Sequence, residues 1–364
     1  MERFTKYKLM VFPREVIVGH KTTDQIKDMC RRITGDKRIL IVADKNTKKI
    51  SGDRIAKILS GAGYEVNITT LSTPIIKKDI PVAWPTMKEV NSVVKSATKE
   101  ESDFLIGVGG GSVIDVTKLA AYELTKFYIS VPTSAAHDGM ASPRASLKNK
   151  KGSTSMTAES PMAILADTEI ISKAPYRMLA SGCADVISNL SAVKDWELAH
   201  RLKNEEFSTF AASLSETSST LLLEKAEDIR SGLEEAVWQA VKCMIVSGVA
   251  MSVAGNTRPA SGSEHMFSHM LDQIAPGKAL HGEQCGVGAI MMMYLHGEDW
   301  EKIRDFLETI GAPTTARDLR IPKKKIIEAL VNAQKIRPER YTILGEQGLT
   351  EDAAKKLAKI TKVI

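Results

Sequence analysis

Residues 104–138, FLIGVGGGSVIDVTKLAAYELTKFYISVPTSAAHD, constrain this chain more than any other stretch. The apolar run 104–108 breaks at Gly109, Gly110 and Gly111. Ser112 then reads as the cap of a helix whose apolar residues Val113, Val116, Leu119 and Ala120 recur at helical spacing. A second apolar run, 127–131, and a polar turn complete the unit. A buried strand that delivers three glycines to a helix N-terminus lets backbone come close to a pyrophosphate. The free N–H groups and the helix dipole there supply an anion site. Ser112 stands where the usual dinucleotide fingerprint has a third glycine, and glycine turns after strands are common. The reading therefore draws on the whole unit, including Asp115 and Lys118 on the helix.

Around this unit the chain changes character near residue 168. Before it, strand-like runs alternate with helical ones: strands at 8–12, 15–18, 38–43, 64–70 and 127–131, helices at 23–33, 53–61 and 87–98. This βαβα rhythm predicts a mostly parallel sheet covered by helices. Residues 141–157 resemble an extended hairpin, and 162–166 read as the last strand. Beyond Asp167 nearly everything reads as helix: 176–198, 208–226, 233–254, 263–274 and 283–295. The expected division is 1–167, a dinucleotide-binding α/β domain, and 168–364, a helical domain binding metal and substrate, with the active site in the cleft between them.

Composition bounds the function. Of 364 residues, 43% are apolar and 26% charged, as in an ordinary globular enzyme. The net charge of +6 is spread among interleaved acids and bases, and aromatics are 5%; neither pattern suits a nucleic-acid binder. Cys30, Cys183, Cys243 and Cys285 lie far apart with no C-x-x-C pair, which fits a reducing compartment rather than a disulfide framework. The start lacks a signal-like apolar segment and the longest apolar stretches are too short or interrupted to span a bilayer, so a cytoplasmic protein without membrane insertion is expected.

Chemistry concentrates in the helical half. In GSEHMFSHMLDQIAPGKALHGEQ, His265 and His269 are one helical turn apart and share a face, and His281 follows at the start of the next helix. Imidazoles so spaced suit a divalent metal such as zinc, or are hydrogen-bonded core or surface histidines. Asp185 lies in an apolar helical segment, where a lone carboxylate is costly unless paired or metal-bound. Asp195 and Glu197 read as solvated charges. In the turn PTSAAHDGMASPR, Thr133 and Ser134 can donate hydroxyls and Asp138 can accept from a substrate hydroxyl, though polar loops are ordinary. Asp44, ending the 38–43 strand, is either a ribose ligand or a cap.

Taken together, GGGSVIDVTK, PTSAAHDG, an Asp within a helix, and H-x-x-x-H with a further His resemble one superfamily. It contains the iron-containing alcohol dehydrogenases, glycerol dehydrogenases and dehydroquinate synthases. The strings HDGMASPRASL, ILADTEIISKAPYRMLASGCADVISN and GSEHMFSHMLDQ…ALHGEQCGVGAI are most similar to its archaeal-type sn-glycerol-1-phosphate dehydrogenases, and the similarity covers nearly the whole chain. The resemblance implies a Rossmann-like α/β N-terminal domain plus an all-α C-terminal metal-binding domain, the dehydroquinate synthase-like fold. It implies that Asp185, His265 and His281 hold zinc, with iron or nickel possible. Gly109, Gly110, Gly111, Ser112, Val113, Asp115, Thr133, Ser134, Ala135, Ala136 and Ser142 would contact NADH or NADPH. Asp138, Asp185 and His269 would contact substrate, with Asp138 and His269 catalytic. The implied reaction is reduction of dihydroxyacetone phosphate to sn-glycerol 1-phosphate, the backbone of archaeal ether lipids. The scaffold also makes a homo-oligomer plausible. Arg144, Lys148 and Lys278 are candidates for the phosphate, each equally readable as a surface charge. A polyol dehydrogenase, a dehydroquinate-type synthase and a non-catalytic nucleotide binder are the rivals.

Overall fold

The computed structural model describes residues 9–72, 76–77, 80–81, 85–149 and 152–364. Among the described residues ten strands occur in chain order: β1 (Glu15–Gly19), β2 (Arg38–Ala43), β3 (Glu65–Thr70), β4 (Ile76–Lys77), β5 (Ile80–Pro81), β6 (Phe104–Gly109), β7 (Tyr128–Pro132), β8 (Arg144–Asn149), β9 (Gly152–Thr157) and β10 (Ala163–Asp167). Helices α1 (Ile26–Ile33), α2 (Lys45–Thr47), α3 (Asp53–Gly61), α4 (Met87–Lys99) and α5 (Gly111–Glu123) belong to the first half. The second half carries α6 (Thr168–Ser172), α7 (Tyr176–Lys203), α8 (Thr209–Leu223), α9 (Ala226–Ser231) and α10 (Glu234–Ala254). It continues with α11 (Ser263–Ile274), α12 (His281–Leu295), α13 (Trp300–Thr309), α14 (Lys323–Asn332) and α15 (Glu351–Ile360).

Six strands form one sheet in the order β1-β10-β7-β6-β2-β3, every pairing parallel. Strands β2 (RILIVA) and β6 (FLIGVG) are apolar on both faces because helices cover both sides, so they read as continuous hydrophobic runs. One layer of the core packs Leu40, Val42 and Leu105 against α4 and α5, and the other packs Ile39, Ile41 and Ile106 against α1 and α3. From β2 the chain steps outward to β3, then returns to build β6, β7 and β10 on the other side. That reversal opens a crevice at the carboxyl ends of β2 and β6, where open α/β sheets bind ligands.

Two local readings change and a third holds. The 8–12 run is not a strand: residues 9–12 carry no sheet pairing, and Lys8 lies outside the described residues. Ser112 is not the cap of α5. The helix starts at Gly111 with Gly110 in the cap position and no side-chain cap, because the glycine turn lets the backbone enter the helix earlier. The hairpin expected at 141–157 is present as the antiparallel pair β8–β9.

The second half packs around α7, which is buried on nearly every side. Its core joins residues of α7, α10, α11 and α12 to Met140, Ala141, Ile164 and Ala166 of the first half. Among the described residues one helix, α10, is long and apolar enough to cross a membrane, and most of it is buried in this core.

Candidate active site

The carboxyl ends of β2, β6 and β7 and the helices α7, α11 and α12 enclose a cavity of about 1200 Å³. On the sheet side, Gly110, Gly111, Ser112 and Val113 line it, with Asp44, Thr133, Ser134, Ala136 and Ser142. Gly109 and Ala135, also expected at the cofactor, are not on its wall; Ala135 is buried behind it. A Cβ on Gly111 would fall 1.7 Å from His137 Nε2, so glycine there is what lets the His137 ring lie over the start of α5.

Two of the expected cofactor residues have structural partners as well. Asp44 is the cap: its Oδ1 accepts from the N–H groups of Asn46 at 2.7 Å and Thr47 at 2.9 Å, fixing the turn at the crevice. Asp115 lines the cavity, but its oxygens accept from Lys118 Nζ at 3.1 Å and Ser146 N at 3.0 Å. Lys118 is itself buried and donates to the carbonyls of Gly139 at 2.8 Å and Arg144 at 2.5 Å. This pair therefore ties the Asp138 loop and the β8–β9 hairpin onto α5.

On the helical side, the spacing argument holds. His265 and His269 lie one turn apart on α11, and His281 opens α12. Their ring centroids are 4.9 Å (His265–His281), 5.8 Å (His269–His281) and 6.3 Å (His265–His269) apart. Asp185 of α7 faces them, 3% exposed. Its Oδ1 is 3.7 Å from His265 Nε2 and 3.6 Å from His281 Nε2, and accepts no hydrogen bond. A Cβ on Gly282 would lie 1.9 Å from the Ser181 carbonyl of α7, so that glycine permits the helix contact that brings His281 to Asp185.

These donors fit a divalent cation. Zinc bonds of about 2.1 Å at tetrahedral angles put donor atoms about 3.4 Å apart, close to the spacing seen. A carboxylate oxygen buried without a hydrogen bond is otherwise expensive. Burial, then the charge of Asp138, pushes the Asp185 carboxyl up to about 6. Burial, the largest single influence, works against protonating His265, but the hydrogen bond to Glu264 together with the charges of Glu264, Asp185 and Asp138 outweighs it and raises the imidazole above its usual value.

Partners behind the imidazoles point their lone pairs at the same place. Glu264, fully buried, accepts at 2.8 Å from His265 Nδ1 and at 2.9 Å from Ser191 Oγ. The His265 proton therefore sits on Nδ1, leaving Nε2 to bind metal. Behind His281, Nδ1 meets Ser268 Oγ at 3.2 Å, and that hydroxyl donates to Gln284 Oε1 at 2.8 Å. Sequence reading missed Glu264, Ser268 and Gln284, although Glu264 adjoins His265 in the chain. It also missed Cys285, one turn along α12, whose Sγ is 3.6 Å from His281 Nε2 and within the same donor cluster. Burial holds that thiol well above its usual range, while a bound cation favours the thiolate.

Asp138 donates its backbone N–H to Asp185 Oδ2 at 3.2 Å, and its own Oδ2 accepts from Ser247 Oγ at 2.7 Å. Asp138 and His269 both line the cavity. Of the phosphate candidates, Arg144 lines it, Lys278 is exposed away from it, and the side chain of Lys148 lies outside what is described. Asp195 is not solvated. It is fully buried and accepts from Ser263 N at 2.6 Å, Ser263 Oγ at 2.5 Å and Ile343 N at 2.7 Å, anchoring the start of α11 to α7.

A parallel α/β half joined to a helical half, with a glycine turn facing an Asp/His/His cluster across one cavity, defines the dehydroquinate synthase-like dehydrogenases. Residues 17–175 match the family described as iron-containing alcohol dehydrogenase. The glycerol dehydrogenase of Schizosaccharomyces pombe shares the fold, with a TM-score of 0.81 over 98% of this chain and 91% of that one at 20% identity. The glycerol-1-phosphate dehydrogenase (NAD(P)+) of Methanococcoides burtonii is 50% identical over 98% of this chain and 97% of its own length. That of Methanothermobacter thermautotrophicus is 50% identical over 97% and 98%. The chain belongs to the glycerol-1-phosphate dehydrogenase family.

Proposed function

We propose that this cavity reduces dihydroxyacetone phosphate to sn-glycerol 1-phosphate with NADH or NADPH, supplying the glycerophosphate backbone of archaeal ether lipids. The observation that carries the reading is Asp185 Oδ1, buried without a hydrogen bond and facing two imidazole Nε2 atoms in the cavity that holds the glycine turn. Family membership at half identity over nearly the full chain supports the same activity.

Asp185, His265 and His281 hold the metal. Zinc is the default, and iron or nickel accept the same donors. When bound, the cation polarises the ketone as a Lewis acid and the nicotinamide supplies hydride. The chain's own residues do the rest. The amide groups at the start of α5 receive the pyrophosphate. Asp138, held by Ser247, has Oδ1 left for a substrate hydroxyl, and this contact presents one face of the carbonyl so that a single enantiomer forms. His269 delivers a proton from its imidazole to the product oxygen, directly or through water. In this reading the chain divides at 167/168, with the cofactor contacts in the first half and the metal ligands in the second.

We also infer a cytoplasmic homo-oligomer. Its four cysteines are free, as a reducing compartment requires. Edge strand β1 leaves Val16 exposed beside the exposed run Leu9, Met10, Val11 and Phe12, a face that a second copy can cover. Light scattering on the purified protein tests the assembly.

The deciding experiment incubates the purified protein, with its metal measured, with dihydroxyacetone phosphate and each reduced cofactor, followed by chiral analysis. Enantiopure sn-glycerol 1-phosphate is expected. Turnover of glycerol but not of the phosphorylated ketone would instead make it a polyol dehydrogenase.

A further inference from the structure

Three guanidinium groups gather in and beside the cavity, none of them paired directly with a carboxylate among the described residues. Arg144 and Arg337 line the wall with Ser261, Thr257, His265 and His269, and Arg340 lies behind. Arg337 reaches only neutral oxygens, Thr257 Oγ1 and Ser261 Oγ, both at 3.4 Å through Nη1. Arg340 donates to the Ser261 carbonyl at 2.6 Å and to Thr257 Oγ1 at 2.9 Å. Arg144 donates to Ser155 Oγ at 3.2 Å, the Ser155 carbonyl at 3.1 Å and Thr157 Oγ1 at 2.5 Å. Among the described residues, none of the three has a carboxylate at ion-pair distance. Nearby Arg258, by contrast, is held by both oxygens of Glu205, and Arg177 by both oxygens of Glu283.

The electrostatic consequence is visible in all three. Burial lowers Arg144, burial and then the charge of Arg144 lower Arg337, and burial followed by Arg337 and Arg258 lowers Arg340 to about 9. Glu339 and Glu264 offset Arg337 through space. The oxygens of Glu264 are already taken by Gly262 N, Ser191 Oγ and His265 Nδ1. Repelling cations withdrawn from water and hydrogen-bonded only to neutral oxygens are costly, and an oxyanion with several acceptor atoms removes the cost. The cluster is also next to the chemistry. Ser261, which contacts both Arg337 and Arg340, lies four residues before His265 and leads into α11.

We propose that Arg337, with Arg144 beside it and Arg340 behind, receives the phosphate monoester of the substrate, and so selects a phosphorylated ketone over its unphosphorylated analogue. This rests on the reading of the cavity given above. The pocket binds phosphate through paired N–H donors of Arg337, whose loose contacts to Thr257 and Ser261 are exchanged for charge-assisted ones. The same chemistry is present on the 2′-phosphate of NADPH, so the test separates the two sources.

The test uses metal-loaded enzyme and the Arg337→Gln and Arg337→Lys variants, with dihydroxyacetone phosphate and dihydroxyacetone as alternative substrates and both reduced cofactors. For Arg337→Gln, KM for the phosphorylated ketone should rise by roughly 10-fold or more. Its kcat, turnover of dihydroxyacetone and KM for either cofactor should stay within about 2-fold. Arg337→Lys should recover part of the loss, and inorganic phosphate should compete with the phosphorylated ketone in the parent enzyme and not in Arg337→Gln. Equal losses on both ketones, no loss at all, or a loss seen only with NADPH would each overturn the assignment. If the glutamine variant does not fold, Arg144→Gln decides by the same pattern at smaller amplitude. Should the parent enzyme fail to turn over the phosphorylated ketone, the functional reading falls. Calorimetric binding of inorganic phosphate, present in the parent and lost in Arg337→Gln, then tests this inference alone.

Discussion

Asp185 is a carboxylate set where a carboxylate is a liability, and that makes its purpose testable. In metal-free protein its Oδ1 has no hydrogen bond and two imidazole lone pairs nearby. An asparagine would keep an acceptor for Asp138 N–H, bring N–H donors to the imidazoles and remove the buried charge. Asp185→Asn should therefore abolish metal retention and activity, yet leave chelator-treated protein as stable as the parent or about 1 kcal/mol more so. Calorimetry in chelator checks this; a clear loss of stability there would mean the residue is structural. Glu264→Gln should act differently, keeping the fold while weakening metal binding by roughly 10–100-fold, because the amide oxygen that then accepts from His265 Nδ1 no longer carries the charge that makes the imidazole a stronger ligand. Metal-competition titration reads that change. The cluster of Asp185, His265 and His281 is legible in the sequence because two histidines at helical spacing, a third soon after and an acid in an apolar helix are each unusual. Glu264, Ser268 and Gln284 were not, since each is an ordinary polar residue until the packing of α11 on α12 gives it a histidine to orient. Asp195 is misread for the same reason: its segment looks polar, but the face of α7 that carries it is buried and the acid is satisfied by distant N–H groups.

Elements were read more reliably than their ends. Strands β2, β6 and β7 follow from uninterrupted apolar runs, and α11 and α12 from helical spacing bounded by Pro276-Gly277. Residues 9–12 show the limit: an apolar run becomes a strand only if a neighbour offers it a ladder. The register of β2 on β6 is held by Asp103, just before β6. Its carboxylate accepts from Arg38 N at 3.0 Å, Lys37 N at 3.3 Å and the Arg38 guanidinium at 2.8 Å. The Arg38 side chain, then these N–H groups, hold the carboxyl down to about 2 from its ordinary 3.8. A depressed carboxyl stabilises the fold above its unfolded value, and that stabilisation disappears as pH falls through the folded one. Asp103→Asn should cost about 1 kcal/mol near neutrality, and the gap from the parent should close between pH 4 and pH 2. Urea unfolding across that range reads it; a gap unchanged at pH 2 would assign the cost to packing instead.

At the scale of the molecule, the two halves share what holds them. The change from alternating to helical pattern at residue 168 is visible in the sequence, but not how tightly the halves are joined. Asp167 at that boundary accepts from Thr23 N at 2.9 Å and Lys21 N at 3.1 Å, far back in the chain. Trp238 Nε1 donates to the Val18 carbonyl at 3.1 Å, and Ser160 and Ser252 hydroxyls meet at 2.7 Å. The helical core continues into Ile164 and Ala166 of β10. Neither half can expose that shared surface cheaply, so each depends on the other. Removing the metal should then lower one cooperative transition by about 5 °C rather than split it, because stabilisation at the Asp185 cluster is felt wherever unfolding is cooperative. Differential scanning calorimetry with and without chelator, alongside near-ultraviolet circular dichroism and NADH fluorescence, provides three probes of one event. Coincident midpoints that shift together are expected. A sheet-side transition that ignored the chelator while the helical half melted early would show two independent bodies, with the cavity as a mere seam between them.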